Sequence, residues 1–202
     1  MKLQKDIFEI RELKAFILLS QIISVSSLTQ EDDRRRLKDL GMDKLVELFM
    51  NNIKTVWRVD GLYFQGIEKR FGQESAREID RESWELIARM EAKDLKKIFS
   101  YDGSVKGFEN MLLNTSWALY QEEKKVVERE GELEFYVVKC KVQEARLKKG
   151  LGVFPCKEVR LSYLKAFADE LDKNVDVDVI SCPPDEKKPD FWCGWRFSFK
   201  KR

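Results

Sequence analysis

The sequence predicts an α+β protein, with N-terminal helices followed by an antiparallel sheet crossed by a C-terminal helix. Three observations predict it. From Met42 to Leu119 apolar residues recur at three- and four-residue intervals, the spacing of one helix face. From Glu132 the period falls to two, and it does so again after Val175 and after Phe191, as half-buried strands require. Between those strands, Cys156 to Asp172 returns to helical spacing. Helices first, then strands interrupted by one helix, make an α+β arrangement.

Residues 1–41 read as an N-terminal helical extension: a leading helix, a polar segment Thr29 to Arg36, and a break at Gly41. Its expected role is packing or homo-oligomer formation. The apolar run from position 13 to 28 is shorter than the ~18 uninterrupted apolar residues of a membrane span. Asp6, Glu9 and Glu12 precede it, unlike the basic lead of a secretory signal. Residues 42–202 read as a single α+β domain.

Within that domain, Leu45, Leu48, Phe49, Ile53, Val56 and Trp57 share a helix face. Asp60-Gly61 either breaks this helix or is carried through it, since Leu62, Phe64, Ile67 and Phe71 resume the spacing up to Gly72. A long helix is expected from about Arg81, capped by Asp80 and carrying Trp84, Ala88 and Leu95. Tyr101 to Gly107 reads as a loop, and Phe108 to Leu119 as another helix. Lys124 to Glu130 is expected to pair through Gly131 with a strand Glu132 to Val142, whose faces are Tyr136/Val138/Cys140/Val142 and Phe135/Val137/Lys139/Lys141. Cys140 is then on an apolar strand face. Val175, Val177 and Val179 alternate with aspartates in the next strand, and Phe191, Cys193, Trp195, Phe197 and Phe199 form one face of the last.

Composition narrows the function. A hydrophobic fraction of 43% with 13 Phe and 5 Trp suits a packed core, and 37% charged residues suit a surface laced with ion pairs, as in thermophiles. Lys and Arg number 38 against 36 Asp and Glu, interspersed, so no field of one sign builds up to recruit nucleic acid or anionic lipid. Neither partner is expected. There is no histidine, which excludes His-based acid/base catalysis, Ser-His and Cys-His dyads and every His-containing metal site. With no export signal, a cytoplasmic location is expected, where the four cysteines are thiols, metal ligands or inert core residues.

Cys140, Cys156, Cys182 and Cys193 are separated by 16, 26 and 11 positions and form no C-x-x-C knuckle. An isolated free cysteine behaves as a small apolar side chain, and Cys140 and Cys193 fit that description. Cys156 differs. It stands at the first turn of a helix beside Lys157, and helix N-terminus and cation both stabilise a thiolate. Cys182 opens Cys182-Pro183-Pro184-Asp185, a stiff turn that either positions a thiol or is only rigid. If Cys156 is a nucleophile, its base is Asp185 or Glu158, or none is needed. Asp60, within the aromatic stretch Trp57 to Phe64, is either a buried group in need of a partner or a solvated turn residue. Arg146, with Gln143, is either a carboxylate anchor or part of a solvated helix face.

Four groups of residues together resemble an uncharacterised family of bacterial and archaeal cytosolic proteins. They are Trp57-Arg58-x-Asp60-Gly61-Leu62-Tyr63-Phe64, the segment from Cys140 through Gln143, Arg146 and Gly150 to Phe154-Pro155-Cys156-Lys157, Cys182-Pro183-Pro184-Asp185, and Trp192-Cys193-x-Trp195-x-Phe197. The resemblance covers about Met42 to Phe199. More distantly, the cysteine-bearing half is similar to the L-2-amino-thiazoline-4-carboxylic acid hydrolase family, which implies ring opening of a small sulfur heterocycle with Cys156, Cys182 and Cys193 at the matching positions.

Three functions fit these residues. The first is a domain binding a small molecule or metal ion, with all four cysteines around zinc or an iron–sulfur cluster and Asp60 and Arg146 contacting a ligand. The second is a cysteine-dependent hydrolase of an amide- or thiazoline-like molecule, with Cys156 as nucleophile and Asp185 as base. The third is a structural, self-associating protein with buried inert cysteines.

Overall fold

The structure, a computed structural model, describes residues 27–200; the leading helix expected before them lies outside these. The chain divides into two units, Met1–Glu47 and Leu48–Arg202. In the first, the segment expected as a polar connector is a helix, α1 (Gln30–Lys38). Local chemistry explains the difference. Thr29 accepts from the Asp32 N–H at 3.3 Å while Asp32 accepts from the Thr29 N–H at 2.9 Å. Acids fill the first turn and Arg35, Arg36 and Lys38 the last, so cap and dipole favour a helix with no apolar face.

Helix α2 (Met42–Phe99) runs through Asp60-Gly61 without a break. The interruption is at Gly72, whose φ of 86° lies in the region that favours glycine. Trp57, before the break, stacks on Trp84, after it, with ring centroids 4.7 Å apart, so the two arms fold back on each other as a helical hairpin. Asp80, expected as a cap, is inside the second arm, because the turn comes eight residues before it. The helix expected over Phe108–Leu119 is two: α3 (Val105–Leu113) and α4 (Ser116–Tyr120). Thr115 divides them, its hydroxyl accepting from the Ala118 N–H at 3.1 Å as the cap of the second.

Strands β1 (Glu123–Arg129) and β2 (Glu132–Lys139) form the expected hairpin. β2 then gives way to a helix, α5 (Lys141–Lys148), with Cys140 as its N-cap residue. Cys140 and Val142 are therefore off the strand, and the face of β2 that enters the core is Leu133, Phe135 and Val137, not the Tyr136 face. Helix α6 (Lys157–Leu171) precedes β3 (Val175–Ser181) and β4 (Cys193–Phe199). All neighbours are antiparallel, in the order β1-β2-β4-β3.

One face of the sheet carries the core. Trp117 of α4 packs on Phe135 at 5.0 Å, and Phe108 of α3 meets Phe197 at 5.0 Å and Phe167 of α6 at 6.1 Å. The other face is polar: Glu134, 4% exposed, accepts from Arg196 at 2.9 Å and from the Tyr136 hydroxyl at 2.7 Å. Tyr136 lies opposite Gly194, where any Cβ would stand 2.8 Å from its ring, so the pairing needs glycine there. Among the described residues, no helix is long and apolar enough to cross a membrane.

Candidate functional site

The fold brings the sequence-derived residues to two adjoining places. The first is a cavity of about 300 Å³. The first arm of α2 supplies Trp57, Asp60 and Phe64 to its wall, the second arm Asp80, α4 Tyr120, and α5 Arg146. Asp60 and Arg146 thus line the same space. Arg146, 7% exposed, is not on a solvated face: its two Nη atoms donate to Glu68 at 3.0 and 3.1 Å, and its guanidinium lies over Phe64 and Phe154. Its Nε is buried with no hydrogen-bond partner.

Asp60 and Asp80 come from opposite arms of the hairpin, and both line the cavity. The Trp84 indole N–H donates to Asp60 Oδ1 at 3.0 Å. Burial raises both carboxyls above their usual range, and Asp80, which also feels the Asp60 charge, is pushed up to about 7. The cation opposing them is Arg160 of α6, whose charge lowers both. Arg160 is 8% exposed, is enclosed by the rings of Trp57, Trp84, Trp117 and Tyr163 at 4.7–5.6 Å, and has a buried Nη1 without a hydrogen-bond partner.

The second place is a patch of sulfur. Cys156, the N-cap residue of α6, and Cys182, at the end of β3, have Sγ atoms 3.7 Å apart; the backbone is pinned beside them by the Lys157 N–H donating to Pro183 O at 2.9 Å. Cys182 also contacts Cys193, and Cys140 lies near enough to Cys193 and Cys156 to feel their charges. The thiols are unequal. Cys156 is lowered below the usual thiol value, first by the Cys182 S–H donating to it, then by Arg160 and by the Gln143 amide at 3.6 Å, against its own burial. Cys182 is raised for the reciprocal reason, because it holds the shared proton. Burial pushes Cys140 up to about 12.

Asp185 is turned away from Cys156: one oxygen contacts Lys157 Nζ and the other accepts from the Cys182 N–H at 3.2 Å, which lowers its carboxyl. Among the described residues, no group of three or more cysteine, aspartate or glutamate side chains is arranged to hold a metal ion, so the expected zinc or iron–sulfur centre on Cys140, Cys156, Cys182 and Cys193 finds no ligand set there.

Two residues of the site escape the sequence reading in that role: Asp80, expected only as a helix cap, and Arg160. A signal was present. Arg160 shares helical spacing with Tyr163, Leu164 and Phe167, and Asp80 with Trp84 and Ala88, so each is a charge on an apolar stripe.

No curated protein and no solved structure matches the chain. A family model matches residues 38–199, starting four residues before Met42, where the resemblance is expected to begin. The chain belongs to the family of unknown function DUF6125.

Proposed function

We propose that the protein is a small-ligand-binding domain whose ligand occupies the cavity between the α2 hairpin and α5. The observation that carries this reading is the convergence of a carboxyl pair, Asp60 and Asp80, with aromatic walls from Trp57, Phe64, Tyr120 and Phe154 around about 300 Å³ of space. Ligand sites have this make-up: mostly apolar walls, a few converging polar groups, and titrating residues moved from their usual values. Thermal-shift screening of amines, carboxylic acids and neutral aromatics tests it. Ala145, exposed on α5 at the cavity wall, is the position to block. Compounds that raise Tm of the native chain and not of Ala145→Trp support the reading; shifts that persist in the blocked variant, or a library without effect, overturn it.

A second reading, a cysteine-dependent hydrolase with Cys156 as nucleophile, is favoured by one observation, the lowered Cys156 thiol at the start of α6. Here a thiolate formed in advance replaces the base, since Asp185 is engaged elsewhere. Iodoacetamide at pH 7 is expected to modify Cys156 first among the four. Labelling that is no faster at Cys156 than at Cys182 removes this reading.

A further inference from the structure

We infer that the cavity ligand is a small aromatic organic cation, an ammonium or amidinium whose charged nitrogen is received by the Asp60–Asp80 carboxyl pair. The inference rests on the ligand-binding reading above and names the chemistry of the molecule bound.

Charge balance leads to it. Two carboxyls from opposite arms of the hairpin face one guanidinium, Arg160, which is sealed among four aromatic rings. Arg160 is more than nine-tenths buried and its Nη1 bonds to nothing, so it balances one carboxylate through space without taking up either carboxylate in a bidentate pair. When both aspartates ionise, one negative charge is left over in a desolvated place. A proton on Asp80 cancels it in the empty protein, and a ligand cation would cancel it equally well.

The other cations that line the cavity do not offset that charge at its desolvated end. Arg146 of α5 is neutralised by Glu68 through two hydrogen bonds, and Lys149, which keeps its charge beside the neutral Gln65 amide, is exposed to water that screens it. Arg58, on the first arm, is exposed. Tyr120 of α4, stacked on Trp57 at 5.0 Å, adds a second ring of the wall, and Cys140, near Tyr120, keeps its proton. The wall rings already hold protein cations, Lys141 over Tyr120 and Arg146 over Phe64 and Phe154, so they offer a ligand apolar contact; a flat or ring-bearing cation packs on them while its nitrogen donates a charge-assisted hydrogen bond to the carboxyl pair.

Three probes of one shape separate the possibilities: tryptamine, its neutral analogue tryptophol, and the anion indole-3-acetate, each titrated calorimetrically into the full chain. Tryptamine is expected to bind at least 10-fold tighter than tryptophol, and indole-3-acetate weaker still. Tryptamine affinity is expected to rise at least several-fold from pH 6 to pH 8, as the carboxyl pair gives up its proton while the amine stays charged. Asp80→Asn should lose this pH dependence and at least 10-fold in tryptamine affinity, bringing the ratio of tryptamine to tryptophol affinity down toward one. Asp60→Asn, folded by circular dichroism, should do the same, and if it does not fold, Asp80→Asn alone decides.

Tryptophol or indole-3-acetate binding as tightly as tryptamine overturns the cation inference and leaves the cavity as a ligand site. Tryptamine binding that is unaltered in Asp80→Asn overturns it also. If none of the three binds and the broader library likewise gives no shift, the ligand-binding reading itself fails.

Discussion

The cavity under the helical hairpin and the sulfur patch at the end of β3 both keep acidic groups away from water, and they settle the resulting charge in opposite ways. In the cavity, burial dominates: Asp60 and Asp80 are raised, and one of them tends to stay protonated. In the sulfur patch, a donated hydrogen bond dominates: Cys182 gives its proton toward Cys156, whose thiol is lowered although it too is buried. Burial alone therefore does not fix the direction of a shift. Asp60 has a donor too, the Trp84 indole N–H, and burial still outweighs it, whereas the hydrogen bond from Cys182 outweighs the burial of Cys156. Arg160 is common to both, since its charge reaches Asp60, Asp80 and Cys156.

Removing that shared cation is expected to have the largest effect. Arg160→Met is expected to cost about 3–5 kcal/mol at pH 8, because two buried carboxylates then lack their countercharge. The loss should shrink toward pH 5, below the value of about 7 to which Asp80 is raised, and urea unfolding at the two pH values measures it. The same variant should slow alkylation of Cys156 at pH 7. A pH-independent loss would mean that Arg160 acts only by filling space among the aromatic rings.

Asp80→Asn has the opposite sign. A carboxyl raised from 3.8 to about 7 in the folded chain binds more protons folded than unfolded between those values, so native stability falls as pH rises through that window and levels off above about 7. The amide does not titrate. The variant should therefore be more stable than the native chain at pH 8, by roughly 2 kcal/mol, and gain little at pH 4. Equal gains at both pH values would show that Asp80 is not the titrating group.

Cys182→Ala tests the donor in the sulfur patch. Loss of its S–H should raise the Cys156 thiol and slow iodoacetamide labelling at pH 7 several-fold, with about 1–2 kcal/mol lost from the small cavity left by a buried side chain. Labelling at the native rate would leave Arg160 and Gln143 as the groups that hold the thiolate. The smallest effect is expected at Gly61. It lies inside α2, and a methyl there meets nothing within 4 Å, so Gly61→Ala should stabilise the chain by about 0.5–1 kcal/mol. A loss of stability instead would point to flexibility of the hairpin at that position.

The sheet and α6 were legible because their signals are local. Valines alternate with aspartates in β3, aromatic residues occupy every second place in β4, and Val159 to Leu171 keep helical spacing. The hairpin was harder. Asp60-Gly61 resembles a turn on composition, yet the helix continues there and breaks at Gly72, where the positive φ favours glycine, and the arms then bring Trp57 onto Trp84. Helix α5 was hidden by alternation that runs on from β2 into Cys140 and Val142. Of the candidate residues, Asp60, Arg146 and Cys156 were visible as residue types in unusual settings. Their neighbours were not, because Asp80 and Arg160 reach Asp60 only through the turn at Gly72 and the packing of α6 against the hairpin.

Gln143 has a consequence for measuring the site. Its side-chain amide imitates a strand partner for Phe154, donating to the Phe154 carbonyl at 2.8 Å and accepting from its N–H at 2.9 Å, while the same Nε2 reaches Cys156 Sγ. Phe154 is a wall of the cavity, and Cys156 is the lowered thiol of the sulfur patch. One side chain therefore touches both places, so a ligand that shifts Phe154 is expected to change the rate at which iodoacetamide labels Cys156, and an unchanged rate on ligand binding would show the two places to be independent.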